Sequence, residues 1–319
     1  MSARRRTQVS FGGGWGTIHR QPHTGLPWSR GFTVYVPYGL RRTSPAPLLM
    51  ALHGCNQTAE DFAAITRFNQ LADRHQFLVV YPEQARINNA QRCWNWAQAQ
   101  NQTRYGGEPG SLAGIVQRMI KDRTRWRVDP ARVYAVGMSA GGTMAMTLGA
   151  TYPDLFAGVG VHSAPPFKSA ATPAHALSAM QGLLLPPPPP RLPQTQVLPP
   201  TVVFQGTLDG TVWPKNAQRI ADQWLAHHDQ AAGIGMRRRV GDPRAVRRPM
   251  ASPHTRTSRR GYSVRRWQAG RERMLELWLV DGLGHAWCGG AGDFAFSDRR
   301  GPRASTEMWR FLSKHSLPV

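Results

Sequence analysis

The chain has 319 residues, 41% of them hydrophobic, which is enough to bury one large α/β core or two smaller cores. Its formal net charge of +22 favours non-specific association with polyanions, but its basic residues, nearly all arginine, follow no nucleic-acid-binding motif, so specific nucleic-acid binding is not predicted. No apolar run is long enough to span a bilayer, and no apolar stretch follows the basic start, so neither a transmembrane helix nor a signal peptide is predicted. Taken alone, these features place the chain in the cytoplasm.

The first part of the chain predicts a βαβ unit that follows a polar arm. Residues 1–30 are basic and glycine-rich, and we interpret them as a loosely held N-terminal arm. An alternating run at 32–36 predicts an outer strand, and continuous apolar runs at 48–52 and 77–81 predict strands that are covered on both faces. Residues 59–75 begin with a capping sequence and carry apolar residues at helical spacing, which predicts one amphipathic helix. Two strands joined by a helix imply a mainly parallel sheet.

The rest of the chain repeats this alternation of strands and helices, and no break in composition requires a second domain. Further strands are predicted at 133–136, 158–162, 201–205 and 274–280, and further helices at 112–126, 143–150, about 216–228 and 303–315. The sequence therefore predicts a single α/β domain over residues 31–319, with a mainly parallel sheet that is flanked by helices on both faces.

Two segments interrupt this pattern and are interpreted as insertions. Residues from about 165 to 200 lack periodicity and contain the five prolines 186–190, which cannot pair in a sheet, so this segment is predicted to be a surface insertion and a candidate lid. Residues from about 231 to 263 are rich in arginine and poor in apolar residues, which predicts an exposed, mobile insertion.

Cysteine and tryptophan residues raise two questions that the pattern leaves open. The three cysteines, Cys55, Cys93 and Cys288, permit at most one disulfide and one free thiol, and each is also compatible with a small buried hydrophobe. Trp94 and Trp96 stand in a polar loop, where they either pin the loop to the body of the protein or form an apolar wall beside a substrate pocket.

Residues 133–142 read as a strand, a sharp turn and a helix, with Ser139 at the apex. A strained corner of this kind requires glycine on both sides of the serine, here Gly137 and Gly141, because larger side chains would collide with neighbouring backbone. The corner presents the hydroxyl at a helix N-terminus, where backbone N–H groups favour developing negative charge. A glycine-rich structural turn fits the same string, so the candidate nucleophile needs support from other residues.

That support comes from two further residues that follow predicted strands. Asp209 follows the strand at 201–205, and His285 follows the strand at 274–280, so both should reach the same edge of a parallel sheet as Ser139. The chain order of serine, aspartate and histidine is the order in which this type of sheet carries a nucleophile, its orienting acid and its base. The N–H groups of Ala140 and Cys55 are the candidate oxyanion donors.

Several motifs together resemble the esterase family of polyhydroxybutyrate (PHB) depolymerases, which is related to feruloyl and acetylxylan esterases. The motifs lie at residues 52–58, 81–84, 92–96, 137–142, 206–209 with Val212, and 282–287. The resemblance implies an α/β-hydrolase fold, the triad Ser139, Asp209 and His285, and ester hydrolysis without a metal or an organic cofactor. It further implies a Cys55–Cys93 disulfide that joins the oxyanion loop (residues 53–57) to the tryptophan loop (residues 93–96), and an extracellular or periplasmic location.

The leading hypothesis is therefore a serine esterase that hydrolyses poly(3-hydroxybutyrate) or short-chain hydroxyalkanoate oligomers. A feruloyl or acetylxylan-type carbohydrate esterase is the alternative within enzymes, and a polyanion- or granule-binding protein on a hydrolase scaffold is the alternative from another class. No separate substrate-binding domain is visible, so binding of a polymer would depend on exposed apolar residues around the mouth of the site. The candidates are Trp94, Trp96, Trp213 and Trp287. The oligomeric state is not predicted.

Overall fold

The structure is a computed structural model. It describes residues 11–23, 30–41, 43–190, 192, 197–231, 246–248, 260–269, 271–292 and 294–318. In these ranges, no helix combines the length and the apolar character that a membrane crossing requires.

A ten-stranded sheet runs through the centre of the described structure. Its strands are β1 Thr17–His23, β2 Arg30–Val36, β3 Ala46–Leu52, β4 Leu78–Pro82, β5 Val128–Met138, β6 Gly158–His162, β7 Thr201–Gly206, β8 Val246–Arg248, β9 Tyr262–Ala269 and β10 Glu272–Val280. They lie in the order β1-β2-β4-β3-β5-β6-β7-β10-β9-β8. The pairings from β4 to β10 are parallel, whereas the pairings at both edges are antiparallel. The predicted mainly parallel sheet is confirmed.

Helices cover both faces of this sheet. They are α1 Ala59–Thr66, α2 Phe68–His75, α3 Gly107–Lys121, α4 Ala140–Thr151, α5 Ala176–Met180, α6 Lys215–Ala231 and α7 Ala304–Leu312. Apolar residues of α3, α4 and α6 pack in one core layer, and those of α1, α2 and α7 pack in the other. A short second sheet pairs β11 Trp287–Cys288 with β12 Ser297–Asp298.

Strand β3 shows why its sequence is continuously apolar. Leu48, Met50 and Leu52 belong to the core layer on one face, and Leu49 and Ala51 belong to the layer on the other. Successive strand residues point to opposite faces, so a strand with helices on both sides needs apolar residues at every position. All seven residues of β3 are buried.

The helix predicted over residues 59–75 is two helices. The break is at Arg67, which adopts a left-handed backbone conformation with φ 57° and ends α1, while α2 starts at the next residue. The hydroxyl of Thr66 donates to the carbonyl of Phe62 in the last turn of α1. Apolar spacing continues across the break, because both halves pack on the same layer, and periodicity alone therefore does not reveal it.

Helix α3 also differs from its prediction, since it begins at Gly107 instead of residue 112 and ends at Lys121 instead of residue 126. Its first turn is fixed by a distant side chain, because the Oδ1 atom of Asn101 accepts the N–H of Glu108 at 2.8 Å. Such a tertiary cap is not encoded in the helix itself.

The predicted loose arm is wrong for the residues that the structure describes. Strand β1 pairs along its whole length with β2, and Phe11 is buried at 3% exposure. The side-chain amide of Asn69 donates to the carbonyls of Phe11 and Gly13, which anchors this segment on α2. Residues 1–10 and 24–29 lie outside the described residues.

The two predicted insertions have different outcomes. Most of the arginine-rich segment, residues 232–245 and 249–259, lies outside the described residues, but β9 was not predicted and pairs antiparallel with β10. The proline-rich segment packs on α6, where Gln223 donates to the carbonyl of Pro188 and the indole of Trp224 donates to that of Pro199. Its role as a surface insertion stays a prediction.

Replacing Arg67 by glycine should stabilise the protein. Glycine adopts positive φ without the steric cost that other residues carry, so the free energy of unfolding of Arg67→Gly should rise by about 1 kcal/mol. Denaturant unfolding measures this change, and Arg67→Ala is the matched control because it removes the same exposed side chain and keeps the Cβ. An equal gain in both variants would contradict the backbone explanation.

Candidate active site

Ser139 occupies the corner between β5 and α4. Its backbone has φ 55° and ψ −124°, and its N–H donates to the carbonyl of His162 at 2.9 Å. A Cβ on Gly137 would lie 2.2 Å from the carbonyl oxygen of Gly141, and a Cβ on Gly141 would lie 2.2 Å from that of Leu52. Both glycines are therefore required by close backbone approach, as the sequence indicates.

Asp209 and His285 form a hydrogen-bonded pair beyond the ends of β7 and β10. The Nδ1 atom of His285 lies 2.9 Å from Oδ2 and 3.1 Å from Oδ1 of Asp209. The carboxylate also accepts the N–H groups of Thr211 and Val212 and the side-chain amide of Gln205. Burial opposes ionisation of Asp209, but His285 and the other donors outweigh it and lower the pKa of the carboxyl group. Asp209 is thus an anion that holds the imidazole by Nδ1.

Ser139 and His285 both line a cavity of about 420 Å³, and Asp209 lies behind the histidine at 2% exposure. Because Nδ1 of His285 is engaged by the carboxylate, Nε2 is the ring nitrogen left to exchange a proton with a group in the cavity. The structure therefore places Ser139 and His285 at one cavity and pairs His285 with Asp209.

The candidate oxyanion donors lie on the two segments that flank Ser139. Cys55 lines the cavity, and Ala140 is the first residue of α4, where backbone N–H groups have no acceptor within the helix. The loop that carries Cys55 is held by His53, whose Nδ1 lies 2.8 Å from the carbonyl of Gly54 and whose Nε2 accepts the N–H of Gln84 at 3.1 Å. Burial lowers the pKa of His53 to about 4, so its ring is a neutral structural link.

Cys55 and Cys93 form the disulfide that the resemblance implies, and Cys288 is a buried free thiol. The disulfide joins the oxyanion loop to the tryptophan loop at the edge of the cavity, since both half-cystines line it. Burial raises the pKa of Cys288 far above its ordinary value, so this thiol is not poised for nucleophilic chemistry.

The four selected tryptophans have different positions. Trp94 and Trp96 line the cavity, and the indole N–H of Trp94 also donates to the carbonyl of His53 at 2.9 Å, so this loop is both pinned and part of the wall. Trp213 is outside the lining, although it is 37% exposed and its backbone N–H donates to the carbonyl of Met180, which lines the cavity. The prediction for Trp287 is wrong, because its side chain is fully buried against Phe62 and Phe68.

Part of the cavity wall was missed by the sequence analysis. Pro173, Ala176 and Met180 of the proline-rich segment line it, as does Phe296, which is 39% exposed. These residues carry no periodic signal and no catalytic residue type. The interpretation of the proline-rich segment as a candidate lid indicated residues 173–180, whereas no signal in the sequence indicated Phe296.

The cavity carries little charge in a strongly basic protein. Among the described residues that line it, none is lysine, arginine, aspartate or glutamate, and the polar lining consists mainly of side-chain amides such as those of Asn89, Gln91 and Gln98. A neutral ligand is therefore accommodated without burying an unpaired charge.

A buried polar cluster supports the tryptophan loop from behind. The carboxylate of Glu108 accepts the backbone N–H and the side-chain amide of Asn95, and it also contacts Gln84. Arg30 lies 3.9 Å from this carboxylate, and its guanidinium lies 5.1 Å from the Trp94 ring centroid. Burial raises the pKa of Glu108, and Arg30 and the amide donors oppose that shift.

Comparison with known proteins identifies related sequences. The family model described as Esterase PHB depolymerase matches residues 30–249. The poly(3-hydroxyalkanoate) depolymerase C of Paucimonas lemoignei is 33% identical over 210 residues, which cover 61% of this chain and 47% of that enzyme. The feruloyl esterase B of Neurospora crassa is 32% identical over 215 residues, which cover 60% of this chain and 68% of that enzyme. The chain thus matches only about half the length of the depolymerase.

Among solved structures, the acetyl xylan esterase from Aspergillus awamori aligns with a TM-score of 0.67 at 19% identity, covering 93% of this chain and 99% of that one. At this identity the similarity concerns the fold, and it confirms the predicted α/β-hydrolase architecture.

Acidification should weaken the fold through His53. In the folded protein its pKa is about 4, whereas in the unfolded chain it is about 6.5, so between these values only the unfolded state binds the proton. Its contribution should lower the free energy of unfolding by about 1.4 kcal/mol per pH unit as the pH falls through this window.

Denaturant unfolding of the wild type and of His53→Asn at about pH 6.5 and about pH 5 isolates this contribution, which should amount to about 1.6 kcal/mol. The variant should lose less stability than the wild type over that interval. Identical losses would show that His53 does not stay neutral in the folded protein.

Proposed function

Because the chain belongs to the PHB depolymerase esterase family, we propose that it is a carboxylic ester hydrolase that acts through Ser139, His285 and Asp209. The observation that carries this proposal is that Ser139, at a strained strand-to-helix corner, lines the same cavity as a histidine whose Nδ1 is held by a buried carboxylate. A serine hydroxyl is a weak nucleophile near neutral pH and needs such a base.

In the first half of the reaction, the Oγ atom of Ser139 attacks the ester carbonyl carbon while Nε2 of His285 takes the hydroxyl proton. Asp209 keeps the imidazole in the required tautomer and stabilises the imidazolium that forms. The negative oxygen of the tetrahedral intermediate accepts the N–H groups of Cys55 and Ala140. Collapse of the intermediate then breaks the bond to the alcohol oxygen, which leaves with the proton from His285.

The second half releases the acid. A water molecule gives a proton to Nε2 of His285 and attacks the carbonyl of the acyl-enzyme, and the same oxyanion donors stabilise the second intermediate. The acyl–oxygen bond to Ser139 breaks, and His285 returns the proton to the serine. No cofactor takes part in this sequence of steps.

The proposed substrate is a poly(3-hydroxybutyrate) or a short-chain hydroxyalkanoate polymer or oligomer. This assignment is supported by the family and by an uncharged cavity with an apolar wall that includes Trp94 and Trp96. It is also supported by exposed apolar side chains next to the cavity. Leu177 is 59% exposed and follows Ala176, which lines the cavity. The backbone N–H of Trp213 donates to the carbonyl of Met180, which also lines the cavity. Together with Phe296, they form an apolar rim that suits a polymer surface.

A feruloyl or acetylxylan-type esterase is the second candidate. The amide side chains of Asn89, Gln91 and Gln98 offer donors and acceptors to sugar hydroxyls, and the relative from Neurospora crassa is named a feruloyl esterase. Comparison of hydroxybutyrate oligomers with acetylated and feruloylated xylan fragments separates the two. The polyanion-binding alternative has less support, because no cationic side chain lines the cavity in the described part of the chain.

We further propose that residues 31–319 form one catalytic domain, to which β1 adds an edge strand. The Cys55–Cys93 disulfide favours an oxidising compartment, which supports a periplasmic or extracellular location over the cytoplasm.

Replacing Ser139 by alanine should abolish hydrolysis of p-nitrophenyl butyrate and of hydroxybutyrate oligomers. Loss of the nucleophile should lower kcat by about 10⁴-fold or more, since such triads act as a unit. Ser313→Ala is the matched control, because Ser313 is exposed at the end of α7 and does not line the cavity. Full activity in Ser139→Ala would refute the proposed mechanism, and an inactive wild type would refute the esterase assignment for these substrates.

Polar substitution of the apolar rim should impair binding to solid polymer and spare the chemistry. The double variant Leu177→Ser and Trp213→Ser should adsorb several-fold less to PHB particles, because it removes exposed apolar area beside the cavity. Its kcat/KM on p-nitrophenyl butyrate should stay within about twofold of the wild type. Tyr38→Ser is the control, since Tyr38 is 52% exposed beside α2. Equal adsorption of all three proteins would remove the rim from polymer binding.

A further inference from the structure

His162 is a buried histidine that contacts the segments of all three proposed catalytic residues. It is the last residue of β6, and its carbonyl accepts the N–H of Ser139 at 2.9 Å. Its Nε2 atom accepts the N–H of Cys288, three residues after His285, at 3.2 Å, and its ring stacks on Trp287 with centroids 4.9 Å apart. The loop that carries His285 is therefore held by His162 at two successive residues.

The direction of these hydrogen bonds fixes the tautomer of His162. A backbone N–H can only donate, so Nε2 must be unprotonated and Nδ1 must carry the proton. Nδ1 lies 3.0 Å from the hydroxyl oxygen of Ser163 and therefore donates to it. Burial lowers the pKa of His162 to about 3, which agrees with a neutral ring.

Ser163 is the second hydrogen-bond partner of the His162 ring. Its hydroxyl oxygen accepts the Nδ1–H of His162, which keeps the proton on that nitrogen. The backbone of Ser163 has φ 50°, and its N–H donates to the carbonyl of Phe204, so its position is set by the sheet.

Resting on the proposed function, we infer that His162 and Ser163 are positioning residues of the catalytic triad. A directed hydrogen-bond chain runs from the Cys288 N–H through the imidazole of His162 to the hydroxyl of Ser163. Through the Cys288 N–H and the stack on Trp287, this imidazole holds the loop that carries His285. The loop thereby keeps Nδ1 of His285 against the carboxylate of Asp209.

If His162 only filled space in the core, a phenylalanine would serve as well as an imidazole. The surroundings would accept one, since Phe204 stacks on the His162 ring with centroids 5.9 Å apart. A buried imidazole that fills space alone would carry an unfavourable desolvation of its two nitrogens, whereas here both nitrogens have partners.

Kinetics of three variants test the chain. Ser163→Ala and His162→Phe should each lower kcat about tenfold on p-nitrophenyl butyrate and leave KM within about twofold, because positioning matters in the transition state. Ser163→Gly should lose as much as Ser163→Ala, although glycine suits the positive φ, because both lack the hydroxyl. The double variant of His162→Phe with Ser163→Ala should lose no more than His162→Phe alone, since both act through one chain.

His315→Phe provides the matched control, since His315 is equally buried but pairs with Glu272 at the opposite end of the strands. Additive losses in the double variant, or recovery of kcat in Ser163→Gly, would overturn the chain. Losses of the same size in His315→Phe would indicate a general effect on the fold and would also overturn it.

A readout without substrate separates this inference from the proposed function. Nitrogen NMR of the labelled wild type should show His162 neutral and protonated on Nδ1 from about pH 8 to about pH 5. The same tautomer should persist in Ser139→Ala, which is inactive. Protonation on Nε2, or a charged ring in this range, would refute the chain even if the enzyme is active. If the wild type hydrolyses none of the esters, the proposed function fails while the tautomer still decides whether the chain exists.

Discussion

The backbone of Ser139 can hold its unusual conformation only because three backbone segments approach one another without side chains between them. Gly137 and Gly141 allow the end of β5, the start of α4 and the end of β3 to come within contact distance. This close approach also brings the oxyanion loop beside the serine, since that loop follows β3 directly. The positions of the nucleophile and of a candidate oxyanion donor are therefore set by the same backbone contact.

The loops around the corner are held by buried polar groups rather than by apolar packing alone. His53 and the cluster of Arg30, Glu108 and Gln84 connect the oxyanion loop to the tryptophan loop, which the disulfide also joins. A buried ion pair is weak evidence for stability, because desolvation offsets much of its attraction. The hydrogen bonds that Glu108 and Gln84 make to residues 93 and 95 instead specify one arrangement of the tryptophan loop.

The sequence predicted best those strands whose local apolar pattern also reflects their central place in the sheet. Strands such as β3 are buried on both faces, so their apolar runs identified the centre of the sheet and thereby the edge at which Ser139, Asp209 and His285 meet. Strand β1 at one edge of the sheet and strands β8 and β9 at the other were not predicted, because their sequences are rich in polar residues and contain no continuous apolar run. Trp96 and Trp287 look alike in sequence and both are buried, but only Trp96 lines the cavity, whereas Trp287 packs on the distant Phe62 and Phe68. The wall formed by residues 173–180 likewise depends on how an irregular segment folds back.

The absence of charged side chains from the described cavity lining has a consequence for product release. In the proposed reaction, hydrolysis turns a neutral acyl group into a carboxylate, which the cavity, lined by amides and apolar groups, has no cation among its described residues to retain. Outside, the protein carries a formal net charge of +22, so the potential favours an anion moving outward. For the proposed esterase, the many arginines of this chain would thus govern the departure of the acid and its salt dependence, whereas the neutral interior would govern the choice of ester.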